Sequence, residues 1–339
     1  MTIIKTENEI EQWQELVHLT REFQALKPWQ HLAEMEMITI DLPEASEPVF
    51  CCVFGKNTEV QALRVLPGAQ ALINFYRLAH SLGEDTRRLL YEQKDLRLTF
   101  VEGADFVWEA RWPGYLPRML REEEAGFLGR VVKHVNRAIR NYIDGKVNVD
   151  FAAGKTLLRY YDGEANMWLT KEEEAYFPPL DYPSLSISEV ELVQELQQKP
   201  KNKAVLELDM FYLPRPATLS DSEEEGGESG SPAGTAAAGE AGGDGLLFYP
   251  RMLLLGDKER GALVNNTMLS PRDNGPSAIF QALADYILSF GRPGTLIVCQ
   301  EMYFQMLQDF CKGNAIKLEL AESGQELTSL LPLREKLLG

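Results

Sequence analysis

Apolar residues recur at helical spacing in the first segment of the chain. From residue 8 onwards, apolar side chains fall three or four positions apart, which is the period of an amphipathic helix. Pro28 cannot continue a helix, so the pattern predicts a helix that ends just before it. The apolar positions of this helix are Ile10, Trp13, Leu16, Val17, Phe23 and Leu26.

The following segments alternate between strand and helix patterns. Residues 49–53 and 60–66 flank the turn sequence GKNTE and predict two strands of a hairpin, with a helix at 69–83 behind them. Thr170 with Glu173, and Ser188 with Glu191, fit the capping box that begins a helix. The mixture predicts an α+β domain over residues 1–200. Its further predicted elements are a strand at 96–103, a helix at 119–145, a hairpin turning at Asp162-Gly163, and a helix at 189–199.

Residues 203–339 have a more regular pattern and predict a second domain of the α/β class. The predicted order is β-β-β-α-β-α-β-α. Residues 295–300 form a short apolar run, as in a buried parallel strand, whereas residues 316–320 alternate apolar and charged, as in an edge strand. One low-complexity segment rich in Gly, Ala, Ser and Glu interrupts this domain at 219–246. It cannot bury enough apolar area to order itself, so it predicts a disordered acidic tether.

Length and charge narrow the class of protein. At 339 residues the chain is long enough for about two domains of ~150 residues. Its net charge of −17 disfavours binding to the phosphates of nucleic acid and favours a protein partner. No run of apolar residues approaches the ~20 that span a bilayer, and the first residues lack a secretory pattern. We therefore expect a cytoplasmic protein that does not associate with membranes.

Cysteine and histidine offer little chemistry. Cys51 and Cys52 are neighbours on a predicted strand, so their side chains point to opposite faces and cannot share one metal ion. Neither has a histidine or a further cysteine at ligand spacing, and packing is the favoured role for both. The four histidines all lie before residue 135 and show no zinc-helix spacing. We predict neither a metal site nor a cofactor.

Large aromatic residues cluster in the sequence VWEARWPGYLP. Trp108, Trp112 and Tyr115 are candidate interaction residues, because aromatic side chains in a loop can anchor a protein partner. The alternative, which we favour, is that the loop folds back onto the core of its own domain.

Several motifs resemble an uncharacterised family of two-domain bacterial proteins that carry domains of unknown function. The family has a Cys-Cys-Val-x-Gly strand, here residues 51–55, and a Pro-Gly-Tyr-x-Pro loop, here residues 113–117. LDMFYLPRP and FYPRMLLLGDKERGALV resemble its second domain. Arg118 departs from the family, which often has Trp after the loop proline. The resemblance implies no activity.

The element order of the second domain also resembles the ribonuclease H fold, in a degenerate form. Active members hold two divalent metal ions on clustered carboxylates. The resemblance places Asp209 on the first strand, and Glu301 lies one step beyond the end of the fourth. Cys299 and Gln300 stand at that strand end, and Gln281 stands where the first helix would need an acid. Asp209 and Glu301 are therefore weak candidates for catalytic residues, and the strand order implied is 3-2-1-4-5.

Three functions remain open from the sequence. The first is a non-enzymatic interaction or scaffold protein. The second is a metal-dependent nuclease or other phosphoryl-transfer enzyme using the second domain, which requires Asp209, Asp257 and Glu301 to converge. The third is a small-molecule-binding regulator with its pocket in the first domain.

Overall fold

The computed structural model describes residues 7–80, 84–101, 106–177, 190–218, 246–322 and 326–338. The chain divides into two compact units. The first is Met1–Pro113 with Pro117–Pro179, and the second is Gly114–Leu116 with Leu180–Gly339. Nearly all of the tether predicted at 219–246 lies outside the described residues.

The first unit is an α+β structure. Short 3-10 turns lie at Pro28–Gln30 and Phe151–Ala153. Its helices and strands are α1 (Glu7–Leu26), β1 (Ile38–Asp41), β2 (Val49–Phe54), β3 (Ala62–Pro67), α2 (Ala69–His80), α3 (Glu84–Glu92), β4 (Asp95–Thr99), β5 (Val107–Arg111), β6 (Arg118–Met119), α4 (Glu122–Ile143), β7 (Lys155–Asp162) and β8 (Met167–Glu174).

One sheet organises the described part of this unit, in the order β6-β5-β4-β3-β2-β1-β7-β8. β1 pairs with β7 in parallel, and the other neighbours are antiparallel. Helices α1 and α4 bury apolar residues such as Leu16, Phe23 and Val131 against one face of the sheet. Leu72 and Phe75 of α2 pack on the other face.

The two adjacent cysteines of β2 divide between these faces. Cys51 lies in the core with α1 and α4, and Cys52 lies in the core with Phe50 and α2. Both side chains are fully buried and both thiols are free. Burial raises the pKa of Cys51 well above its ordinary value and raises that of Cys52 to about 12. Protonated thiols in apolar surroundings suit packing.

The second unit is an α/β structure. Its described helices and strands are α5 (Val190–Gln198), β9 (Val205–Tyr212), β10 (Ala217–Thr218), β11 (Leu247–Phe248), β12 (Arg251–Asp257), β13 (Ala262–Leu269), α6 (Gly275–Phe290), β14 (Thr295–Val298), α7 (Glu301–Gly313), β15 (Lys317–Leu320) and α8 (Leu331–Leu338).

Five strands of this unit form a sheet in the order β13-β12-β9-β14-β15. β9 pairs antiparallel with β12 and parallel with β14, and β15 is an edge strand. With β9 counted as the first strand, this is the predicted order 3-2-1-4-5. Leu206 and Leu208 of β9 face a core shared with α6 and α7. The opposite face packs against the last described residues of the chain, including Leu327 and Leu330.

Several boundaries differ from the sequence predictions. The Thr170–Glu173 capping box is wrong, because these residues lie within β8, where pairing with β7 outweighs the local helix-start signal. The long helix begins at Glu122 rather than Met119, since Met119 pairs with β5. β1 and α3 were not predicted. Ser188 lies outside the described residues.

The border between domains also differs from the one predicted near residue 200. Helix α5 belongs to the second unit, because its Leu196 is buried in the core formed by α6 and α7. The Gly114–Leu116 loop also belongs there. The Leu116 amide donates to the Leu247 carbonyl, and the Tyr249 amide donates to the Gly114 carbonyl.

None of the helices in the described ranges combines the length and the apolar run that crossing a membrane requires.

Candidate functional site

Two carboxylates are buried side by side on one face of the central strand β9. Glu207 is 0% exposed and Asp209 is 1% exposed. Alternation along the strand explains the pairing, because residues two apart share a face while Leu206 and Leu208 face the opposite core. A buried carboxylate is costly unless hydrogen bonds or opposite charges satisfy it. The partners of these two groups therefore define what the site can do.

Asp209 forms an ion pair with a residue close to the end of the chain. Its Oδ2 accepts from Nε of Arg334 at 3.0 Å, and its Oδ1 accepts from the Cys299 thiol at 3.3 Å. The Arg334 side chain is 11% exposed, and its guanidinium carbon lies 5.6 Å from the centre of the Phe211 ring. Burial raises the pKa of Asp209, and the Arg334 charge opposes that shift.

Cys299 acts here as a hydrogen-bond donor. Burial and the neighbouring Asp209 charge raise the pKa of the thiol. The sulfur therefore stays protonated and can donate to the carboxylate.

Glu207 holds the backbone of the turn that precedes the last helix. Its Oε1 accepts from the Thr328 amide at 3.1 Å and forms an ion pair with Lys258 Nζ at 3.2 Å. Its Oε2 accepts from the Ser329 amide at 2.7 Å and from the Ser329 hydroxyl. Thr328 and Ser329 lie in the turn before α8, which begins at Leu331, so these bonds fix the turn on the carboxylate face.

Residues 326–338, which we call the C-terminal cover, thus lie over the carboxylate face. Leu327 and Leu330 of the cover pack against Phe211, Leu254 and Ile297. The close approach depends on Gly256 of β12. A Cβ atom at Gly256 would lie 2.5 Å from Ser329 Oγ and 2.6 Å from a Leu330 methyl carbon. The face therefore combines two carboxylates, a lid of apolar side chains and a counter-cation from the same chain.

The other predicted carboxylates are engaged elsewhere. Asp257 accepts from the amides of Glu259 and Arg260 and forms an ion pair with the Arg260 side chain at 3.6 Å. Glu301 is exposed in the first turn of α7 and accepts from Gln305. Asp209, Asp257 and Glu301 therefore belong to separate local structures. Within the described ranges, no group of three or more His, Cys, Asp or Glu residues could hold a metal ion.

The two glutamines considered as replacements for metal ligands also have local partners. Gln300 donates from its side chain to the Met210 carbonyl at 2.8 Å. Gln281 is exposed on α6 and donates to Asp285 one turn away.

The candidate aromatic residues divide between the two units. Trp108 lies in the core of the first unit, with its ring centre 4.6 Å from that of Phe106. Trp112 is partly buried, and its indole N–H donates to Glu124 at 2.6 Å. Tyr115 belongs to the second unit and forms a β-bridge with Phe248. Their role in binding a partner stays a prediction.

The Glu124 carboxylate accepts several hydrogen bonds in the first unit. Arg118, the residue that departs from the resembled family, donates to both Glu124 oxygens at 2.8 and 2.7 Å. The Arg121 amide adds a third bond at 2.7 Å. Partial burial acts to raise the pKa of Glu124, but the bonds from Arg118, Arg121 and Trp112 outweigh burial and hold it below the ordinary value.

Two family models match the chain. Residues 13–109 match a domain of unknown function (DUF7309), and residues 192–331 match a domain of unknown function (DUF6930). The chain carries two domains of unknown function. This confirms the resemblance to an uncharacterised two-domain family. Glu207, Asp209 and the first residues of the C-terminal cover lie within the DUF6930 match, whereas Arg334 lies beyond it.

No curated protein and no solved structure matches the chain.

Sequence reasoning found Asp209 but missed its partner. The approach of Arg334 depends on how the last helix packs over the sheet, and no local pattern shows this. One signal was present: Arg334 stands within the apolar run LLPLREKLL, where a buried charge needs an opposite charge.

Proposed function

We propose that the chain is a cytoplasmic, non-enzymatic protein that acts by binding another protein. In this proposal the DUF6930 unit is a ribonuclease H-like scaffold whose carboxylates anchor its own C-terminal helix. The analogy rests on the strand order β13-β12-β9-β14-β15 and on Asp209 standing on the first strand. Fold order alone carries no activity, so the chemistry of the carboxylates must decide.

The ion pair between Asp209 and Arg334 is the observation that carries this proposal. A divalent metal ion needs several oxygen ligands with free lone pairs. One oxygen of Asp209 accepts from Arg334, and the other accepts from Cys299. The guanidinium thus supplies the positive charge that a metal ion would bring in an active nuclease.

The partners of the remaining residues support the same conclusion. Glu207 accepts hydrogen bonds from the Thr328 and Ser329 amides, so its role is also structural. Glu301 is exposed on α7 and does not lie in the buried carboxylate pair. The net charge of −17 favours a protein over nucleic acid as the partner.

A nuclease assay tests the proposal directly. The full chain is incubated with RNA–DNA hybrid, single-stranded and branched substrates in the presence of Mg²⁺ or Mn²⁺. We expect no cleavage above the level of an Asp209→Asn preparation purified in the same way. Cleavage by the unmodified chain that Asp209→Asn abolishes would overturn the non-enzymatic proposal.

A binding experiment tests the positive half of the proposal. The tagged full chain is purified from its host, and each co-purifying protein is produced separately and mixed with the purified chain. We expect one of them to form a stoichiometric complex that survives size-exclusion chromatography after nuclease treatment. A complex that is lost on nuclease treatment would indicate a nucleic-acid partner instead.

A further inference from the structure

The first unit contains a cleft that neither family match covers as a whole. It has a volume of about 560 Å³ and lies among α1, α4 and the β7–β8 hairpin. Clefts of a few hundred Å³ are the usual size of small-molecule sites. The DUF7309 match ends at residue 109, before α4 begins.

Cations dominate the charged residues that line this cleft. Lys133, Arg137, Arg140 and Arg159 contribute four positive charges, and Glu22 contributes one negative charge. The whole chain has a net charge of −17, so a concentration of cations is the opposite of what its composition favours. Like charges held together cost stability unless an opposite charge joins them.

The secondary structure explains why the cations converge. Lys133, Arg137 and Arg140 are spaced four and three residues apart on α4, so they share one side of the helix. Arg159 lies two residues after Leu157 on β7 and therefore points to the same face of the sheet, the face that α4 covers.

Only part of this charge is neutralised by neighbouring side chains. Glu22 accepts from Arg140, and its second oxygen lies 3.4 Å from the Asn136 amide nitrogen. Lys133 lies 3.8 Å from Glu15, with both side chains more than half exposed. Among the described residues, the exposed Arg137 side chain has neither a hydrogen-bond nor an ion-pair partner.

Arg159 provides an independent observation. It is only 8% exposed, and one of its terminal nitrogens donates to Thr170 Oγ1 at 2.8 Å. Its Nε atom is buried and has no hydrogen-bond acceptor among the described residues. Burial, and then the charge of Arg137, lower the pKa of Arg159. A buried guanidinium with an unsatisfied N–H beside a second guanidinium lacks a negative partner.

An aromatic pair forms one wall of the cleft. The His134 and Trp168 rings stack with centres 3.7 Å apart and planes 28° apart, and Arg159 lies 5.7 Å from the Trp168 ring centre. Burial, Arg159 and Lys133 lower the pKa of His134 to about 4, while Glu44 acts in the opposite direction. Neutral at pH 7, the imidazole can still donate one N–H to a ligand.

We propose that this cleft binds a small phosphorylated molecule carrying at least two negative charges. Guanidinium groups match phosphate oxygens in a two-point geometry. The exposed Arg137 side chain offers such a group to a ligand, and the buried, unsatisfied Arg159 adds positive charge behind it. The cleft size suits a small molecule, and the acidic chain would repel a long polyanion. This cleft is the pocket that the small-molecule hypothesis requires in the first domain. The proposal does not depend on the scaffold function proposed for the other unit.

Calorimetric titration of the full chain with inorganic pyrophosphate tests the proposal. We expect one site per chain, with binding that weakens as the salt concentration rises. Arg137→Ala should weaken binding about tenfold or more, the effect of losing one charge-assisted hydrogen bond. The matched control is Arg130→Ala. Arg130 is also exposed on α4, but it pairs with Glu44 and does not line the cleft, so its loss should change binding less than about twofold.

A second variant and a second ligand complete the test. Lys133→Ala, also exposed, should weaken pyrophosphate binding several-fold, and circular dichroism confirms that each variant is folded. Citrate, a carboxylate of similar charge, should bind more weakly than pyrophosphate. Three outcomes would overturn the proposal: no binding of pyrophosphate, equal loss in Arg137→Ala and Arg130→Ala, or citrate binding as tightly as pyrophosphate.

Discussion

The carboxylate face of the second unit and the cationic cleft of the first unit treat buried charge in opposite ways. In the second unit, Glu207 and Asp209 are both buried, and every strong partner they need comes from the same chain. In the first unit, Arg159 is also buried, at 8% exposed, but it keeps an unsatisfied Nε and has another arginine beside it. In the first arrangement the buried charges are neutralised by the same chain. In the second arrangement, which we call open, they are not.

This difference separates a structural ion pair from a binding site. Burying a charge is tolerated when its partner lies within the fold, and the pair then contributes to one defined packing. A buried charge without a partner destabilises the free protein and is retained where a ligand supplies the partner. The net negative charge alone would suggest that the unneutralised charges of this chain are carboxylates. In the cleft the unneutralised charges are cations.

The largest effect that would test this contrast comes from removing the counter-cation of Asp209. Arg334→Met keeps the length of the side chain but leaves a buried carboxylate unpaired. We expect it to lower the free energy of unfolding by about 3–5 kcal/mol, measured by urea denaturation. The control is Arg260→Met, whose 73% exposed side chain pairs with Asp257 and should cost less than about 1 kcal/mol.

A double variant separates charge from packing at this site. Combining Arg334→Met with Asp209→Leu removes both charges, so most of the lost stability should return. If Arg334→Met costs no more than Arg260→Met, the ion pair does not stabilise the face and the contrast with the cleft fails.

An intermediate effect is expected from Gly256→Ala. The added Cβ would lie 2.5 Å from Ser329 Oγ and 2.6 Å from Leu330, so the C-terminal cover must shift. We expect a loss of about 1–3 kcal/mol in the free energy of unfolding. Gly129→Ala is the matched control in helix α4. A Cβ atom at Gly129 would have no atom from outside the helix within 4 Å, so this variant should be neutral or stabilise by up to about 1 kcal/mol. Equal losses in the two variants would show that Gly256 is not required for the cover to approach.

A smaller effect is expected in the cleft from Arg159→Met. The substitution removes a bond to Thr170 but also relieves the burial of a charge and its repulsion by Arg137. The two changes oppose each other, so the net cost in urea denaturation should stay below about 1 kcal/mol. A loss as large as that of Arg334→Met would mean that Arg159 is a structural cation, and the description of the cleft as open would be wrong.

The smallest effect concerns the pH dependence of stability. The pKa of His134 is about 4 in the folded chain and near 6.5 when unfolded, so the unfolded state binds more protons between these values. Stability from this residue is present above pH 6.5 and is lost as the pH falls towards 4. The ring is partly exposed, so solvent screens the charges of Arg159 and Lys133, and the slope should be shallower than a fully buried histidine would give.

Urea midpoints of the unmodified chain and of His134→Gln, compared from pH 4 to 7, measure this slope. The difference between the two proteins should grow with pH across the window from 4 to 6.5 and level off above it. A constant difference at every pH would show that the imidazole titrates normally and is not surrounded by excess positive charge.

Much of the fold could be predicted because it depends on local patterns. Strand alternation predicted opposite faces for Cys51 and Cys52, and the structure has them in two different cores. The apolar run at 295–300 predicted a buried parallel strand, and β14 pairs in parallel with both β9 and β15. The failures also have local causes: the four-residue strand β1 is too short for its period to show, and the Thr170–Glu173 pair imitated a helix cap.

The candidate sites depended more on distant parts of the chain. The spacing of Lys133, Arg137 and Arg140 was visible in the sequence as one helix face, although a charged face usually just meets water. The position of Arg159, which turns that face into a cleft, depends on β7 pairing with β1, more than a hundred residues earlier.

The sequence by itself determined the main order of elements in the second unit, the face on which each strand residue lies and the excess of negative charge. Backbone geometry and side-chain period are local, so a short window of residues contains them. Only the tertiary structure decided which charges have partners. Asp209 and Arg334 are 125 residues apart and become an ion pair only when the cover packs on the sheet. Nε of Arg159 lacks an acceptor because of what surrounds it in space, and the energy of a charge depends on those surroundings.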